Sequence, residues 1–132
     1  MRGNKSINTK PEVNLRKALL LAGLRGYRLN WEKALGCPDI VYPRRKVAIF
    51  VQGCFWHSCP YCKISLPKTH KRYWLKKLSN NKARDQFVQK VLKKEGWRVV
   101  VAWECQIKKN PNKVIDKIRN ILRTNRGNIY TL

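Results

Sequence analysis

Six residues that carry ligand, acid–base or stacking chemistry follow one another in a single short stretch: Cys54, Phe55, Trp56, His57, Cys59 and Cys62. Cys59-Pro60-Tyr61-Cys62 is a metal-binding knuckle, Cys54 precedes it, and Cys105 answers it far along the chain. A C-x4-C-x2-C set with a distant fourth cysteine satisfies a tetrahedral structural zinc, with Zn–S about 2.3 Å and no open position. A redox CxxC would open a helix in a thioredoxin-like pattern, whereas Gly53, Pro60 and aromatics surround this one. Zinc held by Cys54, Cys59, Cys62 and Cys105 would be scaffold, pinning the loop to a later strand. Cys37 is the odd thiol and reads as a small buried residue beside a turn.

The acid–base candidates stand out by scarcity, since 30 basic residues face only 7 acidic ones. Asp39, in Cys37-Pro38-Asp39-Ile40, has two readings: a Pro-Asp turn former, or a hard oxygen ligand for magnesium. His57 is either a packed neighbour of the cysteine site or, free of ligation, the general base for a water near Asp39. Glu12 reads locally as part of a helix cap. Phe55 and Trp56 could be core, but adjacent loop residues rarely both bury. An exposed aromatic in a basic field suits base stacking or wedging between base pairs.

These groups need a frame, and the apolar pattern supplies one. Val47–Val51 is apolar on both faces and reads as a buried strand. Pro43-Arg44-Arg45 is a tight connection, so Pro38–Tyr42 and Lys46–Val51 are expected to form an antiparallel hairpin. Asp39 then lies at its open end beside Val51 and Gln52, where the loop carrying His57 also leaves. Upstream, Thr9 and Glu12 predict a capping box. Leu15, Ala18, Leu19 and Ala22 follow at helical spacing, and Gly23 offers the stop. A short strand is expected over 26–31. A basic helical segment is expected from Pro67 to Glu95, with Val88, Val91 and Leu92 as its apolar stripe. A strand over Trp97–Trp103 delivers Glu104 and Cys105, and Asn110-Pro111 opens a last helix that buries Val114, Ile115, Ile118, Ile121 and Leu122. Residues 124–132 read as a frayed tail.

At 132 residues and 43% hydrophobic, the chain predicts one domain over 1–132 rather than a disordered basic tail. A net charge of +23 destabilises any compact state, which points to a polyanionic partner. Lys68, Lys71, Arg72, Lys76, Lys77, Lys82 and Arg84 concentrate that charge on one segment, so binding to nucleic acid should weaken steeply with salt. No apolar run approaches the roughly 20 residues needed to span a bilayer, and no signal peptide is evident. A reducing cytoplasm is therefore expected, where five cysteines favour metal over disulfides.

Six motifs in order resemble the very short patch repair (Vsr) DNA mismatch endonucleases. They are Asn-Thr-Lys-Pro-Glu (8–12), Cys-Pro-Asp-Ile-Val (37–41), Val-Ala-Ile-Phe-Val-Gln-Gly-Cys-Phe-Trp-His (47–57), Leu-Pro-Lys-Thr (66–69), Asn-xx-Arg-Asp (81–85) and Gly-Trp-Arg-Val with Trp-Glu-Cys (96–105). The resemblance implies an α/β, restriction-endonuclease-like fold: a central mixed sheet flanked by helices, with a structural zinc. It implies Mg²⁺-dependent nicking 5′ of the thymine in a T·G mismatch in double-stranded DNA, the lesion left when 5-methylcytosine deaminates. Asp39 matches the metal-binding aspartate, Val51 a position whose backbone carbonyl helps hold metal, His57 the general base and Glu12 a supporting glutamate. One or two catalytic magnesium ions are implied. Phe55, Trp56 and Trp74 match the aromatic wedge, and Lys68, Lys71, Arg72, Asn81 and Arg84 fall on the DNA-binding side. Cys54 and Cys105 match zinc ligands, and Cys59-xx-Cys62 the four-cysteine form of the zinc loop.

Two departures accompany the resemblance. Gln52 stands where some relatives carry a histidine at the scissile phosphate; it can donate a hydrogen bond but cannot shuttle a proton. Only eight residues precede Thr9, so the N-terminal arm of longer relatives (1–8 here) is expected to be shortened. A one-strand nick needs one active site, which favours a monomer, and mismatch-repair coordinating proteins are further candidate partners. Two rival readings stay open: a zinc-stapled basic nucleic-acid-binding module without catalysis, and a nuclease of the same fold with another DNA target.

Overall fold

Two β-branched runs set the centre of the molecule. In the computed structural model, which describes residues 9–62, 65–124 and 130–131, they form the inner pair of a five-stranded sheet. Its strands are β1 (Arg28–Leu29), β2 (Ile40–Tyr42), β3 (Val47–Gln52), β4 (Arg98–Trp103) and β5 (Tyr130–Thr131), side by side in that order. β1–β2 and β2–β3 are antiparallel; β3–β4 and β4–β5 are parallel, so the sheet is mixed. The β2–β3 hairpin has the expected sense, with Ile40 opposite Ile49 and Tyr42 opposite Val47. Its connection is a single 3-10 turn over Pro43–Arg45, closed by Lys46 in the left-handed region at φ 51°.

Because β3 and β4 are parallel, the chain must cross between them, and it does so through the long α2 (Lys71–Lys94). That helix covers one sheet face, where Val41, Ala48 and Val99 meet Leu92, Val88 and Phe50. On the other face Ile40, Tyr42, Val47, Ile49, Val100 and Ala102 meet Leu15 and Leu19 of α1 (Lys10–Leu21). The same core takes in Ile107 of α3 (Glu104–Lys109) and Val114, Ile115, Ile118 and Ile121 of α4 (Pro111–Arg123). The period-2 alternation thus sorts each strand between two helical layers, which is why both of its faces are apolar.

Several expectations need correction. Thr9 precedes α1, but its side chain makes no capping hydrogen bond. Glu12, in the first turn of that helix, is buried, 5% exposed. The strand expected over 26–31 shrinks to Arg28–Leu29, and the basic helix begins at Lys71, after His70 in the left-handed region. α3 was not expected; it starts directly where β4 ends. Cys37 is half-buried rather than buried, in the left-handed region at φ 50°. In the stretch expected to fray, Tyr130 and Thr131, both strong strand formers, pair with Val100 and Val101. The expected N-terminal arm (1–8) and positions 125–129 and 132 lie outside the described residues. Among the described residues no helix is long and apolar enough to cross a membrane.

Candidate active site

Five segments converge on one cleft of about 1010 Å³ at the open end of the β2–β3 hairpin, the fifth being the start of α3 with Glu104. The start of α1 gives Thr9, Pro11 and Glu12; the turn before β2 gives residues 32–37 and then Asp39; the end of β3 and its loop give Val51, Gln52, Gly53, Trp56 and His57. The fourth wall is a face of α2, with Asn81, Arg84, Asp85, Val88 and Gln89 at i, i+3, i+4, i+7 and i+8. The turn is seated by glycine: Gly36 has φ +80°, and a Cβ there would lie 2.6 Å from Val88 Cγ1.

Charge in this cleft is the reverse of the molecule's. Glu12, Glu32, Asp39, Asp85, Glu95 and Glu104 all line it, six of the chain's 7 acids. The seventh, Asp116, is paired with Arg119 at 2.9 Å on an exposed face of α4. Among the described residues the lysines and arginines that line it are Lys33 and Arg84. Burial sharpens the contrast. Of the buried polar residues Glu12, Asp39, Gln52 and Arg98, the first three line the cleft, whereas Arg98 donates to the Ile121, Thr124 and Arg45 carbonyls.

Asp39 sits where the hairpin register places it: its Oδ2 accepts the Val51 N–H at 2.7 Å. Asp39 and Val51 are thereby locked together at the mouth of the hairpin. Gln52, opposite Trp103, is 6% exposed and lines the cleft. Across the cleft, His57 Nδ1 lies 2.6 Å from Asp85 Oδ2, with the two side chains 30% and 19% exposed. Such a bond fixes the tautomer, leaving Nε2 to exchange protons with a bound molecule. Asp85 was not singled out from the sequence, although it closes the Asn-xx-Arg-Asp motif and is a rare acid in a basic helix.

One turn earlier on the same helix face, Asn81 Nδ2 donates to the Trp56 carbonyl at 3.2 Å. Asn81 thus holds the loop instead of projecting freely, while Arg84 lines the cleft. Phe55, Trp56 and Trp74 form one aromatic cluster with centroid separations of 5.2, 5.4 and 5.7 Å. Phe55 and Trp74 are half-buried, and Trp56 is 40% exposed, so one of the adjacent pair does face outward. Tyr73 extends the cluster edge-to-face from Trp74 at 5.2 Å. Lys68, Lys71 and Arg72 are exposed around the start of α2, beside these rings in sequence and outside the cleft lining.

The loop itself is a tight coil. Its backbone closes through His57 N–H to Gly53 O at 3.2 Å and Cys59 N–H to Cys54 O at 3.0 Å. The Cys54, Cys59, Cys62 and Cys105 sulfurs all lie within 4.8 Å of one another, packed against Val101 and Trp103. Cys59 Sγ and Cys105 Sγ are 3.7 Å apart, which matches the edge of a tetrahedron with metal–sulfur bonds of about 2.3 Å, roughly 3.8 Å. Tyr61 N–H also points at Cys59 Sγ, 3.4 Å away. The four thiols can therefore hold one metal ion. Without one, burial pushes the Cys54 thiol well up and Cys105 to about 11, while hydrogen bonding from Cys105 draws Cys62 down.

The cleft combines a buried aspartate, a carboxylate-oriented histidine and an exposed indole in a strongly basic protein, the equipment of an enzyme that cuts a polyanion. Comparison with known proteins agrees. A family model described as DNA mismatch endonuclease Vsr matches residues 1–63. The type II nicking enzyme V.XorIIP of Xanthomonas oryzae pv. oryzae is 43% identical over 119 residues, covering 89% of this chain and 85% of that protein. V.NmeAIP of Neisseria meningitidis, also a type II nicking enzyme, is 43% identical over 116 residues, 86% of this chain and 79% of its own length. The DNA mismatch endonuclease Vsr of Escherichia coli K12 is 33% identical over 108 residues, 82% and 69% of the two chains. Cleft chemistry and relatives converge, and the chain belongs to the Vsr family of DNA endonucleases.

Proposed function

We propose that this endonuclease nicks one strand of double-stranded DNA 5′ of the thymine in a T·G mismatch, using magnesium, and so starts very short patch repair. The observation that carries the reading is the cleft itself. Asp39 and Glu12 are buried there in a protein of net +23, and His57 faces them from a bond to Asp85. Clustered hard oxygens in so basic a chain fit a divalent cation, with Asp39 and the Val51 carbonyl as its holders and Glu12 in support. When bound, magnesium would supply charge stabilisation at the phosphate and at the leaving 3′ oxygen.

The chain's own residues would do the rest. His57 accepts a proton from the attacking water at Nε2, and Asp85 holds the ring and stabilises its charged form. Gln52, buried at the end of β3, donates a hydrogen bond to the scissile phosphate but carries no proton away. Trp56, braced by Asn81 and backed by Phe55 and Trp74, wedges into the stack where a wobble pair costs less to open. Lys68, Lys71, Arg72 and Arg84 neutralise backbone phosphates and supply sequence-independent affinity.

Zinc is the ion we assign to Cys54, Cys59, Cys62 and Cys105. All-thiolate tetrahedral ligation with no open position is its structural chemistry. The order of the mixed sheet, with the metal-binding acid at the mouth of a central hairpin, supports a restriction-endonuclease-like fold. One cleft holding both Asp39 and His57 suits a monomer, working in the cytoplasm where mismatch-repair coordinating proteins would meet it.

The test is a nicking assay on strand-labelled duplexes that carry one T·G mismatch, matched pairs or a branch, with and without Mg²⁺. The expected result is one Mg²⁺-dependent nick 5′ of the mismatched thymine, absent in Asp39→Ala and His57→Ala. Equal cutting of matched or branched DNA would replace the mismatch target. Tight binding with no cleavage would replace the catalytic reading with a binding module.

A further inference from the structure

Glu104 is the acid in the cleft whose contacts are least expected. It opens α3 immediately after β4, is exposed at the cleft wall, and is the covalent neighbour of the cluster residue Cys105. Its Oε1 accepts the N–H of Cys54 at 3.2 Å. The other end of that peptide unit is the Gly53 carbonyl, which accepts the N–H of His57, also at 3.2 Å. A peptide unit is planar and turns as one body. The carboxylate that grips its N–H therefore sets the direction of its C=O, and with it the backbone position of His57.

The surroundings leave that peptide little freedom. A Cβ built on Gly53 would lie 3.8 Å from Glu104 Oε1 and 3.7 Å from Trp56 Cδ1, so carboxylate, glycine and indole meet around one point. Cys54 and Cys105, which bracket the contact in space, are two of the four clustered thiols.

We propose that Glu104 is a positioning residue. By orienting the Gly53–Cys54 peptide it sets His57 against Asp85 and Trp56 at the cleft rim, coupling the cysteine cluster to the active site. This rests on the nicking reading above and deepens it. The role needs an acceptor oxygen rather than a charge, and that separates it from cation binding. Glutamine keeps an acceptor at this position; alanine does not.

The experiment compares wild type, Glu104→Gln and Glu104→Ala on the T·G duplex, with bound zinc and the Mg²⁺ concentration for half-maximal rate measured on each. Misplacing a catalytic group costs up to about 100-fold, so kcat of Glu104→Ala is expected to fall roughly 10- to 100-fold with KM for DNA little changed. Zinc content and Mg²⁺ requirement should stay at wild-type values, and Glu104→Gln should recover most of the rate. Hydrogen exchange at the His57 amide, read on the same proteins without DNA, should rise about tenfold or more in Glu104→Ala and not in Glu104→Gln. Unchanged exchange in Glu104→Ala overturns the inference even if no variant cuts DNA, which would itself refute the nicking reading. A Glu104→Gln as slow as Glu104→Ala with a raised Mg²⁺ requirement makes Glu104 a cation ligand instead. Loss of zinc in Glu104→Ala makes it a staple of the cysteine site alone.

Discussion

Replacing Asp85 by asparagine removes one charge and leaves the shape of the α2 face nearly intact. It tests whether His57 is oriented by a carboxylate or merely sits near one. The wild-type contact is 2.6 Å between Nδ1 and Oδ2, with the imidazole 30% and the carboxylate 19% exposed. Two unit charges about 4 Å apart attract by roughly 4 kcal/mol at an effective dielectric of 20, which is an upper limit here. The attraction acts only once the ring has taken a proton, and the pair is screened by the water it still touches. A hydrogen bond to a charged group contributes about 1.5–3 kcal/mol, and partial exposure places this one near the lower end. Since about 1.4 kcal/mol is tenfold in rate, kcat should fall about 10- to 30-fold.

Asparagine can accept from Nδ1–H only through its oxygen, and the flipped amide would present a donor to a donor. The loss should therefore appear in kcat rather than in KM for DNA. The neighbouring Asn81 bond to the Trp56 carbonyl does not involve Asp85, so the aromatic cluster should stay in place. Single-turnover nicking of the T·G duplex at saturating Mg²⁺ reads the chemical step, and circular dichroism confirms that α2 persists. A wild-type single-turnover rate in Asp85→Asn would refute the assignment of His57 as the oriented base.

Two further outcomes follow from the packing and from the thiols. Gly36→Ala should destabilise the protein by about 1–3 kcal/mol, because φ is +80° and the new Cβ would meet Val88 Cγ1 at 2.6 Å; a denaturant midpoint equal to wild type would refute the seating of this turn on α2. The metal-free protein holds Cys54 well above the ordinary thiol value and Cys105 at about 11, so both are protonated at neutral pH. Zinc must expel those protons, so its apparent affinity should rise between about pH 6 and about pH 8. Calorimetry in buffers of different ionisation enthalpy should show the proton release, and a pH-independent affinity would refute four-thiolate ligation. The linked stability has the opposite sign. These two raised thiols keep their protons in the metal-free fold, so their contribution is full below the ordinary value of 9.0; the share of Cys105 is lost as pH climbs toward about 11, and that of Cys54 at higher pH still.

What was legible in the sequence was whatever a short window encodes. The apolar runs 47–51 and 97–103 announced the two central strands. The tight Pro43–Arg45 connection fixed the sense of the hairpin, which in turn placed Asp39 beside Val51. Cysteine spacing found the four sulfurs, because the spacing that a tetrahedral metal site demands is written in the sequence itself. Local reasoning failed where tertiary packing decided the outcome. Thr9 and Glu12 have the spacing of a capping box, yet the Thr9 side chain makes no cap bond and Glu12 is buried in the cleft wall. Asp85 depends on the rotation of α2 about its own axis, which no spacing within the helix can report. Glu104 depends on the parallel pairing of β3 with β4, since that register is what brings the residue after Trp103 alongside the one that follows Gly53. Its partner lies 50 residues away.

The placement of the acids carries an argument about how binding and catalysis are linked. A chain of net +23 attracts DNA from a distance, but at the cleft an incoming phosphate meets the locally negative wall of Glu12, Asp39, Asp85 and Glu104. Ionic screening acts over about 10 Å at 0.1 M salt, so the remote lysines cannot cancel this local field at contact range. The divalent cation proposed for the cleft would reverse the local sign, which would make DNA binding there depend on the cation. Linkage then requires the converse: bound DNA must raise the affinity for the cation by the same factor. Such an arrangement would let the basic surface engage any duplex while the cleft engaged a phosphate only with metal in place. On the nicking reading proposed above, selectivity for a distorted pair would rest on Trp56, which Asn81 braces at the rim, and the reaction on the acids behind it.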